Sequence, residues 1–286
     1  MLVPPLPLLN FFVSLVMLSI GLRVRGGELF DLLRNRALFI RTLVANCVLI
    51  PAIGFILVKI FPLTPDVSVG ILLLAAIPGT PIALQFTRLA KTRLAFAAVM
   101  TFLLSLVSIA ITPLAVELMP QMAERSQRPI SNLAVSILLY IALPLCAGWW
   151  LARRTPQLAP RLVLPLELLA TATFLFLMWE TRLARREAIY AIAGRGTLLA
   201  MFLLLIFSMI IGWFTGGPDV ESRRILATAT GMRSVIVVLY VARYCFPGTN
   251  IYMIPIVYLS LMVPLNLLFH LSFSVWQKLR SARTPA

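Results

Sequence analysis

Acidic side chains are scarce in this sequence, with ten Asp and Glu against 25 Lys and Arg in 286 residues, and charged residues make up only 12% of the chain. Histidine is scarcer still, represented by His270 alone. The sequence holds no His-Glu-x-x-His pattern, no Gly-x-Ser-x-Gly turn and no P-loop, so nothing in it supports an intramembrane protease, an ATP-driven pump or another enzyme. The three cysteines, Cys47, Cys146 and Cys245, are too few and too irregularly spaced for a disulfide framework or a metal site, and packing is their expected role. A basic n-region is also missing: the first positive charges follow the opening apolar run, which reads as a retained first helix rather than a cleaved signal peptide.

What the sequence has in abundance is apolar surface. Hydrophobic residues are 60% of the chain, far more than a soluble domain of this length could hide, so lipid is its solvent. A membrane-spanning helix needs about 20 mainly apolar residues. About nine such stretches are centred near Val13, Leu49, Ile77, Leu106, Ile141, Thr173, Leu205, Arg233 and Leu261, leaving little for a soluble domain. The fold expected is all-α, a single transmembrane domain of about nine helices in the plasma (inner) membrane.

The net charge of +15 would suggest nucleic acid in a soluble protein, but here the basic residues sit mainly in short loops between apolar runs. They mark topology. Arg23, Arg34, Arg36, Arg88, Arg93, Arg153, Arg154, Arg223, Lys278 and Arg280 fall to one side and Lys59, Arg125, Arg128, Arg182, Arg195 and Arg243 to the other. The bias over all loops is roughly two to one and predicts an outside N-terminus and an inside C-terminus, with Arg182 to Arg195 as the discordant loop. Between the first two spans, Gly27 to Ala37 alternates apolar and charged residues in a helical pattern and is expected to lie in the inner interface. Trp149, Trp150, Trp213 and Trp276 fall near span ends, as interfacial anchors do.

Two spans are interrupted. In the third, Pro78, Gly79, Thr80 and Pro81 stand near the centre; Pro78 cannot donate to the carbonyl of Leu74, nor Pro81 to that of Ile77. Freed acceptors at midplane are tolerated only inside protein or beside a hydrated cavity, so this segment should line a site. In the eighth, Thr228 to Ser234 reads Thr-Ala-Thr-Gly-Met-Arg-Ser and brings Arg233 near the bilayer centre, at a cost of about 2.5–3.5 kcal/mol on insertion scales. The two spans are an odd number of helices apart and so run in opposite directions. That is the pattern of an inverted repeat with two crossed broken helices, the usual place for substrate and ion sites in secondary transporters.

The run Ala45-Asn46-Cys47-Val48-Leu49-Ile50-Pro51, the break Pro78-Gly79-Thr80-Pro81 and the break Gly231-Met232-Arg233-Ser234 together resemble the bile acid:sodium symporter family in order, spacing and helix placement, over nearly the whole chain. The resemblance implies a panel of helices at about 5–22, 132–152 and 162–182, rocking against a core at about 38–60, 67–90, 94–118, 197–215, 221–244 and 250–276. It implies sodium as the coupling ion, with Asn46 and Thr101 on positions that bind it. Other positions depart: Ala83-Leu84 stand where the family has Ser-Asn, Ala229 where it has an acid, and Arg233-Ser234 where it has Gln-Asn. Sodium wants oxygen ligands, and a neighbouring guanidinium repels it. Two roles follow for Arg233, a built-in cation in the lost ion's place or a contact for an anionic substrate.

Other polar residues in the spans have plainer readings beside functional ones. Asn46, Gln85, Thr101, Thr230 and Asn266 either line the site or join helices. Arg233 itself could be a structural charge held by carbonyls freed at the opposite break. Glu167 and Glu180 on the sixth span are candidate partners for it, with interface placement the plainer reading of Glu167. His270 could carry protons, though packing is the plainer role. The function expected is alternating-access transport of a small organic anion, with sodium, protons or neither as driving ion and no other cofactor. A receptor that keeps the fold without moving solute is the competing class.

Overall fold

The structure, a computed structural model, describes residues 6–24, 36–79, 94–184, 192, 194 and 196–283. Thr80, Pro81, Ala83, Leu84 and Gln85 lie outside the described residues, as do most of Gly27 to Ala37 and the side chains of Glu180 and Trp276. The described residues form ten helices: α1 Leu6–Arg23, α2 Arg36–Ile60, α3 Pro65–Ala76, α4 Leu94–Leu118, α5 Ile130–Arg154, α6 Ala159–Ala184, α7 Thr197–Thr215, α8 Val220–Gly231, α9 Val235–Cys245 and α10 Ile254–Arg283. Single helical turns at Pro120–Ala123 and Ile251–Met253 complete the connections.

Among the described residues, eight helical stretches are long and apolar enough to cross a membrane, with α8 and α9 counted as one. The helix α3 is apolar but shorter, because it stops where Pro78 withdraws a donor. Gly79 then takes φ +82, where a Cβ would stand 3.0 Å from Leu104 Cβ and 3.1 Å from the backbone of α4, so glycine alone fits there. The α8–α9 stretch is the most enclosed part of the bundle and is broken at Met232 to Ser234. The start of α8 is fixed by Asp219, whose carboxylate accepts from the backbone N–H of Glu221 and Ser222.

Two helices carry a π turn, Ala45–Leu49 in α2 and Leu138–Ala142 in α5. In each, the wide turn closes two residues before a proline, Pro51 or Pro144, whose missing N–H would leave a regular ladder short of a donor. The helices fall into neighbourhoods: α1 packs on α5 and α6, α7 on α8, and α2 on α3. Backbones touch where α1 crosses α5, since a Cβ on Gly21 would lie 2.2 Å from the carbonyl oxygen of Leu145 and one on Gly148 2.3 Å from that of Leu18. Arg23 and Glu167 form an ion pair between α1 and α6, and Ser19 Oγ donates to the same carboxylate at 3.3 Å. Glu167 therefore joins α1 to α6 through Arg23.

Candidate functional site

The two breaks meet. The C-terminus of α3 presents the carbonyls of Leu74, Ala75 and Ile77, and the α8–α9 break answers each. The Ser234 backbone N–H faces the Ile77 carbonyl at 3.4 Å. The Arg233 guanidinium takes the other two, with Nε donating to Leu74 O at 2.8 Å and Nη2 to Ala75 O at 2.6 Å. Its third nitrogen, Nη1, donates to Asn46 Oδ1 at 2.8 Å. Arg233 is 0% exposed, and each of its nitrogens has an acceptor.

Each partner is placed by local geometry. Leu74 O is free because Pro78 has no N–H, and Ala75 O because the chain leaves the helix before Gly79 can donate to it. Both lie at the negative end of the α3 dipole, where a cation is favoured. Asn46 lies in the π turn of α2 and is held by its own amide, which donates to Thr42 O at 3.0 Å and Thr230 Oγ1 at 3.3 Å. This orientation leaves Oδ1 for the guanidinium. On the far side, Tyr258 Oη of α10 donates to Gly231 O at 2.9 Å, closing the end of α8. Among the described residues no carboxylate pairs with Arg233, so its charge is balanced by backbone and amide dipoles.

Of the residues singled out from the sequence, Asn46, Thr230, Gly231, Arg233 and Ser234 come together around the end of α3 beside Pro78 and Gly79. Thr101 is buried on α4, but no hydrogen bond of its side chain reaches the cluster. Asn266 bonds back to Met262 O on its own helix. His270 lies toward the other end of α10, with Nε2 at 2.9 Å from Thr228 Oγ1. Thr80, Pro81 and Gln85 lie outside the described residues. Tyr258 and the Ala75 carbonyl were not legible as site groups; the depth of a tyrosine in the last span was the only available hint of the first.

At this meeting point the guanidinium is held by two backbone carbonyls and one amide oxygen. Comparison with known proteins agrees with the architecture. A family model described as "Sodium Bile acid symporter family" matches residues 10–211, a range that ends within α7 and so excludes Arg233. Among relatives, the P3 protein of Bos taurus is 22% identical over 82% of this chain and 50% of its own length. The uncharacterized sodium-dependent transporter YocS of Bacillus subtilis is 26% identical over 49% of this chain and 43% of its own. The probable sodium/metabolite cotransporter BASS5, chloroplastic, of Oryza sativa subsp. indica is 23% identical over 93% of this chain and 68% of its own. The chain thus spans about half the length of the first two of these relatives. With the model matched over well more than half its length, on a bundle of apolar helices, the chain belongs to the sodium bile acid symporter family.

Proposed function

We propose that the protein is an alternating-access transporter for a small organic anion in which Arg233 stands permanently in place of a coupling cation. One observation carries the reading: a buried guanidinium bound to Leu74 O, Ala75 O and Asn46 Oδ1 at the meeting point of two broken helices. A second cation about 4 Å from it would meet a repulsion of about 4 kcal/mol at an effective dielectric of 20. Sodium coupling through this place is therefore lost, and a guanidinium held by the carbonyls freed at the opposite break serves both as a structural charge and as the built-in cation, rather than as a substrate contact. Arg233 is 0% exposed and three of its five N–H groups are engaged within the protein, so a substrate carboxylate in a crevice does not reach it.

The same charge still bears on substrate. A unit charge about 8 Å from a crevice attracts an anion by about 2 kcal/mol at that dielectric, without contact. Substrate would sit between the panel, α1 with α5 and α6, and the core that carries the crossing. The names of the relatives, a sodium/metabolite cotransporter and a sodium-dependent transporter, are consistent with solute movement and say nothing of which solute. The lost ion ligands also suit a receptor that binds without transporting. Uptake of an anion library into proteoliposomes, with sodium replaced by choline, separates the readings. Uptake equal in both salts supports the tethered cation, steep sodium dependence overturns it, and binding without accumulation selects the receptor.

A further inference from the structure

A second basic site lies away from the crossing, at the end of the bundle where α7 ends, α8 begins and α10 runs on to Arg283. Between α7 and α10 is a groove of about 480 Å³, walled by Ile210, Phe214, Leu265 and Leu268 and closed by Trp213 and Phe269. Phe214 and Leu268 are among the most exposed large apolar residues of the protein, at 75% and 63%, so the groove opens toward lipid. Its closed end is an aromatic wall. Phe273 lies 5.3 Å from Trp213 and 5.2 Å from Phe269, centroid to centroid.

Two guanidinium groups stand on this wall. Arg223 lies 6.0 Å from the Trp213 ring centroid and Arg224 5.0 Å from that of Phe273. Arg223 Nε donates to Gly217 O, which fixes the side chain. Arg224 is only 4% exposed, yet its Nε has no hydrogen-bond acceptor, which is an expensive state for a buried cation. Of the nearby acids among the described residues, Asp219 caps α8 and Glu221 stands within electrostatic reach of Arg224.

We propose that this is a binding site for one anionic phospholipid, with an acyl chain in the α7–α10 groove and the phosphate against Arg223 and Arg224. An apolar slot continuous with lipid recognises the chain. A cation short of an acceptor, beside a second held rigidly, recognises the phosphate through charge-assisted hydrogen bonds. A zwitterionic lipid would fill the groove but bring its own cation to the arginines. The site is independent of the substrate crevice and of the state of Arg233.

Native mass spectrometry of the purified full chain, delipidated and offered equal dioleoyl phosphatidylglycerol and dioleoyl phosphatidylcholine, tests the proposal. The wild type should retain phosphatidylglycerol preferentially, by roughly fivefold for each arginine in contact. Arg223→Gln should cut that preference, and Arg223→Gln with Arg224→Gln should bring the two lipids to parity. Ile210→Trp, on the exposed wall, should reduce retention of both lipids while leaving the helical circular dichroism unchanged, so the test does not depend on a buried substitution. Equal retention by the wild type, a preference unchanged by Arg223→Gln with Arg224→Gln, or undiminished lipid retention by Ile210→Trp overturns it.

Discussion

A guanidinium at midplane costs about 2.5–3.5 kcal/mol on insertion scales, and a hydrogen bond from a charged group returns about 1.5–3 kcal/mol. With three such bonds to Leu74 O, Ala75 O and Asn46 Oδ1, Arg233 is stabilised in place rather than merely tolerated. The acceptors need it in turn, because Pro78 has removed the donor that Leu74 O would otherwise have. Arg233→Ala should therefore lower the melting temperature of the detergent-purified protein by on the order of 5–15 °C, from two or three acceptors left unpaired. Millimolar guanidinium should restore part of the loss, and the same concentration of urea should not. If the two solutes act alike, the cluster is not a cation site. Arg233→Lys keeps the charge but loses the planar fork and should fall between wild type and Ala. Arg233→Gln removes the fixed charge while keeping an amide, so uptake that was indifferent to sodium should become sodium-stimulated.

At the scale of elements, helix placement was readable because hydropathy and proline chemistry are local. Pro78 and Pro81 named Leu74 and Ile77 as freed acceptors, and the α8–α9 break supplies donors to both, Arg233 Nε and the Ser234 N–H. Three things were not readable. The π turn that aims Asn46 adds a residue to one helical turn, which a run that is apolar on every side does not record. The choice of Ala75 and Asn46 as further acceptors depends on a rotamer. The Arg23–Glu167 pair spans 144 positions of sequence, which no local pattern records. The α1–α5 crossing has the same character, since Gly21 and Gly148 matter only once the helices are face to face. Gly148→Leu puts carbon where the Leu18 carbonyl stands and should destabilise the protein by about 1–3 kcal/mol, seen as lower thermal stability and poorer expression. Leu143→Ala on the exposed face of the same helix, 58% exposed, should leave thermal stability unchanged. If both variants behave alike, close backbone approach is not what holds α1 to α5.

At the scale of the molecule, the alternating access proposed above would move α1, α5 and α6 against the rest, and the contacts at one end of the bundle offer a place to test that motion. The connection from α4 to α5 is tied to the far side: Arg125 pairs with Asp66 at 3.0 Å, the Gln127 N–H donates to Cys245 O at 2.8 Å, and Gln127 Nε2 to Pro247 O at 3.2 Å. Asp66 also accepts from the Asn250 N–H, so this strap belongs mechanically to α3, α9 and α10. Beyond Pro129 the chain enters α5, where the Asn132 carbonyl accepts from Tyr244 Oη at 3.2 Å, and Arg128 lies 4.6 Å over the same ring. Pro129 stands where the tied strap passes into α5, and Tyr244 to Asn132 is one contact that the proposed motion must part. In a protein freed of Cys47, Cys146 and Cys245, cysteines in place of Asn132 and Tyr244 joined by a reducible bifunctional thiosulfonate should bring uptake to background, and reduction should return it. A cross-linker on Asn132 and a residue of α6 should have no such effect, since both lie on the moving side. Uptake that continues with Asn132 and Tyr244 joined would mean that α5 does not part from α9, and the rocking motion would have to be abandoned whatever ion or anion the protein carries.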